Sequence, residues 1–167
     1  MTDELDLRHP TEDDQPRIAA VADHWFAGRR VWPLVVRAWF RDFGGTSLIA
    51  DAPGGSPRGF LLGYRSPAHP DEAVLHLVGV DPNLRRRGVG RSLVEAFAAD
   101  AAGAGAGVIR AVAWPDDPIA VAFFLGVGFT AEAGPGSQRL YGVPAYADFE
   151  AAGEDRVVFL RRLVGPG

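Results

Sequence analysis

Apolar and polar positions along the chain recur in runs that predict a fixed order of strands and helices. Leu5-Asp6-Leu7-Arg8 alternates as an edge strand does, and Thr11 followed by Asp14 has the form of a capping box, opening a helix that runs to about Phe26. Over 31–43, Trp32, Val36, Trp39, Phe40 and Phe43 recur at three-and-four spacing, which predicts one amphipathic helix ended by Gly44-Gly45. Two β-rich runs, 46–51 and 58–65, flank Pro53-Gly54-Gly55-Ser56-Pro57 and read as a hairpin with a loop longer than a two-residue turn. The run 73–80 is nearly all apolar, as a central strand is. Beyond it Leu93, Val94, Phe97, Ala98 and Ala101 mark one face of a helix that stops at 103–107, and a strand follows at 108–114. Asp117-Pro118 opens another helix with an N-cap carboxylate and a proline at the first helical position, and Gly128-Phe129 ends it. A Gly/Pro-rich passage leads to a last strand at 157–163.

Strands meander first and alternate with helices later, which makes an α/β or α+β protein with a mixed sheet. The 167 residues predict a single domain over 1–167. The chain has no cysteine, which excludes disulfides, thiolate metal sites and a cysteine nucleophile. Met1-Thr2-Asp3-Glu4 carries no targeting pattern and no apolar run approaches the ~18 residues of a membrane span, so a cytoplasmic protein without a membrane partner is expected. A net charge of −4 argues against nucleic acid as a partner.

The most informative stretch is Arg85-x-x-Gly88-x-Gly90 between a strand and a helix. Glycines at alternate positions let backbone approach a ligand, and the free N–H groups of a helix start point at an anion. Arg85, Arg86, Arg87 and Arg91 add charge suited to a pyrophosphate. The bland alternative is a glycine turn with a solvated arginine face, since a lone Gly-x-Gly is weak. Leu93 stands where a Rossmann fingerprint needs glycine, and there is no Gly-Lys-Ser/Thr for a Walker loop.

Here the sequence resembles the GCN5-related N-acetyltransferase family. Val78-Gly79-Val80-Asp81-Pro82-Asn83-Leu84-Arg85-Arg86-Arg87-Gly88-Val89-Gly90 is similar to its acetyl-CoA signature. Asp117-Pro118-Ile119-Ala120-Val121-Ala122-Phe123-Phe124-Leu125-Gly126-Val127-Gly128-Phe129 is similar to a second family segment. The resemblance implies a mostly antiparallel central sheet flanked by helices, with strands 73–80 and 108–114 splayed into a slot for acetyl-CoA. Val78, Gly79 and Val80 would bind the pantetheine arm, the turn from Arg85 through Arg86, Arg87, Gly88, Val89 and Gly90 to Arg91 the pyrophosphate, and Asp117, Phe123 and Phe124 would complete the cofactor site. Asp117 stands where asparagine is usual, a small change because either caps a helix. Phe124 stands where a tyrosine commonly protonates the departing thiolate, which leaves solvent, Tyr141 or Tyr146 as the proton source.

His76 alternates with Val74, Val78 and Val80, so it is expected on the cofactor-facing side of its strand, as general base or as a satisfied core histidine. His9, His24 and His69 read as solvated, and no spacing among the four suggests a metal. Trp25 and Trp32 flank Ala27-Gly28-Arg29-Arg30 and are the candidate acceptor-pocket residues. Asp71-Glu72 and Asp148 to Glu150 are either solvated loop charges or groups that attract a cationic amine. The reading is direct acetyl transfer from acetyl-CoA to a primary amine of a small molecule or peptide. A transferase of another acyl-CoA and a degenerate CoA-binding module are the alternatives, and a homodimer is left open.

Overall fold

The computed structural model describes residues 5–165, so the Met1-Thr2-Asp3-Glu4 segment lies outside the described residues. A seven-stranded sheet carries β1 (Asp6–Arg8), β2 (Leu48–Asp51), β3 (Pro57–Arg65), β4 (Glu72–Val80), β5 (Val108–Ala113), β9 (Val157–Arg162) and β6 (Thr130–Ala131) in that spatial order. The strand β4 runs parallel to β5, and every other neighbouring pair is antiparallel. The helices are α1 (Gln15–Trp25), α2 (Ala38–Arg41), α3 (Val89–Gly103) and α4 (Pro118–Gly126). The mixed, mostly antiparallel sheet flanked by helices is the expected class of fold.

Each face of the sheet buries its own core. On one side α3 places Leu93, Val94 and Phe97 against Leu61, Ala73, Leu75, Ile109 and Phe159. On the other α1 sets Ile18, Ala22 and Trp25 on Ile49, Phe60, Leu62 and Leu77. The capping box does form: the Asp14 carboxylate accepts from the Thr11 amide at 2.8 Å, and a 3₁₀ turn at Glu12–Asp14 leads into α1. Asp14 is also buried against Arg8 and Arg17, each at 2.8 Å, which ties the start of α1 to β1.

Two expectations are corrected. The helix read over 31–43 is a 3₁₀ turn, Trp32–Leu34, followed by the single turn of α2. Pro33 takes away a backbone donor and the β-branched Val35 and Val36 lose side-chain freedom in a helix, so the segment bends round the domain. The residues it buries are Val31, Val35 and Phe40, while Trp32, Val36 and Phe43 of the supposed apolar face are exposed. The Gly/Pro-rich passage holds β6 and a two-stranded hairpin, β7 (Gln138–Leu140) with β8 (Val143–Ala145), strands too short to show a period.

Candidate active site

The pairing of β4 with β5 covers Glu72 to Leu75 against Val108 to Ala111 and then stops. Past that point the strands part, and a cavity of about 830 Å³ opens between them. Its walls are β4 from Leu75 to Val80, β5 at Val112 and Ala113, the start of α3, and α4 with Asp117, Phe123 and Phe124. This is the splay that the resemblance implied, and ligand sites commonly take such apolar clefts with a few polar groups at one end.

The polar end is the turn before α3. Gly88 is its N-cap with φ 84°, and Arg86 also sits at positive φ, 62°. The turn leads straight into α3, whose first-turn amides have no partner within the helix and lie at this end of the cavity. Gly90 is needed for a different reason: a Cβ there would stand 2.7 Å from the Phe123 ring and 3.3 Å from Val80. At the opposite corner Asp117 caps α4, accepting from the Ala120 amide at 3.0 Å.

The arginines divide. Arg86 and Arg91 line the cavity, and Arg91 also donates to the Gly126 carbonyl at 2.8 Å, at the end of α4. Arg87 is exposed and is not among the lining residues. Arg85 also lines the cavity, and its guanidinium donates to the carbonyl of Trp25, the last residue of α1, at 2.5 Å.

His76 lies in the cavity wall, on the face opposite to the one its strand parity predicted. Across β3 and β4, Leu62 pairs with Leu77 but Gly63 pairs with Leu75, so His76 is the extra residue of a β-bulge. The bulge shifts the phase of the strand: Ala73, Leu75, Val78 and Val80 pack on the α3 side, whereas Leu77 joins the α1 core. The His76 ring follows the α1 side, stacked on Trp39 at 4.2 Å and 16°, with Nε2 3.4 Å from the Leu34 carbonyl. Burial lowers its pKa below the usual 6.5, opposed by the Leu34 carbonyl and by the negative charge of Glu150. The shift favours the neutral imidazole, the form that can take a proton.

Of the tryptophans, Trp25 lines the cavity, stacked on Phe60 at 5.9 Å, while Trp32 is 48% exposed and is not among the lining residues. Sequence reasoning missed Trp114, which follows β5, lines the cavity and sits between the guanidinium groups of Arg29 at 4.5 Å and Arg156 at 5.0 Å. Arg29 also reaches Asp116 at 2.9 Å, so the loop after α1 is fastened across the slot. Asp23 holds the base of that loop by accepting from the amides of Val31 and Trp32 at 2.7 and 2.8 Å.

Neither candidate acid lines the cavity. Tyr141 is 76% exposed at the tip of the β7–β8 hairpin. The Tyr146 hydroxyl donates to Glu132 Oε1 at 2.6 Å, and the nearby carboxylate raises its pKa. Phe124 is buried and stacks on Phe159 at 5.0 Å, so it borders the cavity as a wall of the core.

These features have counterparts among known proteins. The chain matches the Acetyltransferase (GNAT) family over residues 11–129, and it belongs to that family. It is 33% identical over 117 residues to an L-2,4-diaminobutyric acid acetyltransferase of Nocardia farcinica, covering 70% of this chain and 60% of the relative. To the protein of the same name from Streptomyces coelicolor it is 35% identical over 91 residues, 51% of this chain and 54% of the relative. The chain thus spans little more than half the length of these curated relatives. Two solved structures share its fold: Ard1 from Thermoplasma volcanium, with TM-score 0.76, 19% identity and coverage of 96% and 98% of the two chains, and the diaminobutyrate acetyltransferase of Paenibacillus lautus in complex with L-2,4-diaminobutyric acid and coenzyme A, with TM-score 0.72, 19% identity and coverage of 98% of both.

Proposed function

We propose that the protein is an acetyl-CoA-dependent N-acetyltransferase that acts on a primary amine of a small molecule of the diaminobutyrate type. The observation that carries this reading is the placement of His76 in the wall of the cavity between the parted strands, with the amide-rich turn before α3 at its other end. The residues fit acetyl-CoA. The slot is apolar where an acyl-pantetheine arm would lie, and Gly88, Gly90, Arg86 and Arg91 offer backbone and charge where phosphates would lie. Bound there, the cosubstrate supplies an activated acetyl thioester.

The chain's own groups then do the rest. An alkylammonium has a pKa near ~10.4 and must lose a proton before it can attack. His76, neutral because it is desolvated, accepts that proton as the new C–N bond forms and the C–S bond breaks, giving an amide and CoA thiolate. A CoA thiol has a pKa of about 8.5 by analogy with cysteine, so the thiolate can leave without an acid and solvent can protonate it. That agrees with the apolar Phe124 and with the absence of Tyr141 and Tyr146 from the residues that line the cavity. The acceptor assignment is supported by the names of the related proteins and by the Glu150 carboxylate, whose charge is felt at His76 and draws a cationic amine.

The test is acetylation of L-2,4-diaminobutyrate by the purified protein with acetyl-CoA, read by mass spectrometry and thiol release. Turnover is expected, and His76→Gln should lower kcat/KM by about 10²–10⁴-fold near neutral pH while CoA affinity stays unchanged. CoA binding without turnover on this amine and on a wider amine panel would sink the enzymatic reading.

A further inference from the structure

His76 lines the cavity whereas Trp39 does not, although their rings lie 4.2 Å apart and nearly parallel. The indole therefore covers the side of the imidazole that faces away from the cavity. Trp39 is itself hemmed in, with Phe43 at 5.2 Å and Tyr64 at 5.7 Å, and those two rings meet each other at 5.6 Å. A side chain held on three sides by rings has little rotamer freedom to give its neighbour. The Leu34 carbonyl faces Nε2, which makes Nε2 the donor nitrogen and leaves Nδ1 as the acceptor.

We propose that Trp39 is a positioning residue for acetyl transfer: the clamped indole backs the His76 imidazole, shuts water from its rear face and holds its accepting nitrogen toward the cavity. The proposal rests on the reading of His76 as general base. The bulge sets His76 and Leu77 together on the α1 side, where the imidazole meets Trp39, while Val78 and Val80 return to the α3 side. The imidazole meets the Trp39 indole from α2 and the Leu34 carbonyl from the preceding turn, the Tyr64 ring from β3 packs on the far side of that indole, and the charge of Glu150, in the loop after β8, also acts on the imidazole. The carboxylate favours the protonated ring and desolvation disfavours it. Taking away the indole lets water in on the rear face, so the ring takes a proton at higher pH.

The experiment follows the His76 ring protons by NMR through a pH titration, with the resonance identified by its absence in His76→Gln. The parent should titrate below the ordinary value of about 6.5, with a ring-current shift from the indole. In Trp39→Leu the midpoint should rise toward about 6.5 and the ring-current shift should vanish. Trp39→Phe, which keeps an aromatic ring behind the imidazole and guards against loss of fold, should stay close to the parent. In the acetylation assay, kcat/KM of Trp39→Leu should fall about 10- to 100-fold, the range that an ångström of misplacement can cost. The acid limb should move up in step with the NMR midpoint, and the affinity for CoA should not change. A folded Trp39→Leu protein whose His76 midpoint and ring shift match the parent overturns the proposal. Full activity in His76→Gln overturns instead the assignment of the base, and the two failures are told apart because the NMR midpoint does not depend on turnover.

Discussion

Arg85 separates two accounts of the anion-binding turn. In the sequence it is the first residue of the signature and invites a contact with phosphate, but in the structure its guanidinium donates to the Trp25 carbonyl at 2.5 Å. The last carbonyls of a helix have no partner within it and form the negative end of its dipole, so a cation there satisfies both. A hydrogen bond to a charged group is worth about 1.5–3 kcal/mol, and Arg85→Ala would leave the carbonyl of a buried residue without its partner. For a protein of this size each kcal/mol moves Tm by about 2–4 °C, so the variant should melt about 3–12 °C lower in a thermal scan. Arg85→Lys keeps charge and one donor and should fall between the two. Because the side chain is spent on α1, the calorimetric Kd for CoA should change less than about threefold, the scale of a surface charge rather than of a lost phosphate contact. A tenfold loss of CoA affinity with an unchanged Tm would refute this reasoning and make Arg85 a phosphate ligand.

Gly90→Ala places a methyl 2.7 Å from the Phe123 ring and should push that ring into the cavity. Overpacking of this kind costs about 1–3 kcal/mol, so CoA affinity should fall about tenfold or more by calorimetry, with the circular dichroism of the parent; an unchanged Kd would show that the ring can move elsewhere. The Asp14 carboxylate, held down to about 2 by Arg8, stabilises the fold fully above its ordinary 3.8, and that contribution is lost as pH falls from 3.8 through 2. Asp14→Asn should therefore lower stability at pH 7 by about 1.5–3 kcal/mol in urea titrations, and the gap from the parent should close as pH falls from about 4 to 2; a gap that stays constant would mean that packing, not charge, is what Asp14 supplies.

What could be read from the sequence was written in neighbouring residues. Asp117 capping α4 ahead of Pro118 and the Thr11–Asp14 box each depend on contacts within a few positions, and each is found as expected. What the sequence did not display depends on contacts between distant residues. The facing of His76 is set by a bulge against β3, which leaves no mark in the alternation of β4. Arg85 is drawn to a carbonyl 60 residues away. The helix assigned to 31–43 failed where periodicity outweighed Pro33, and Trp114 went unnoticed because a lone aromatic at a strand end carries no local signal of the two arginines that enclose it.

The parting of β4 and β5 gives the sheet a rim in its interior. Beyond Leu75 and Ala111 the two strands no longer pair with each other, though β4 stays on β3 and β5 on β9, so main-chain groups of the kind normally found at the outside of a sheet lie in the middle of this one. Outer rims invite other chains to dock, and proteins blunt them with charge, proline or twist. Here the recess itself is the defence: the start of α3, α4 and the loop after α1, tied to Asp116 by Arg29, surround the rim. Main-chain donors and acceptors exposed along such an inner rim are of the kind that could pair with amides carried on a thin flexible arm, in the manner of an added strand.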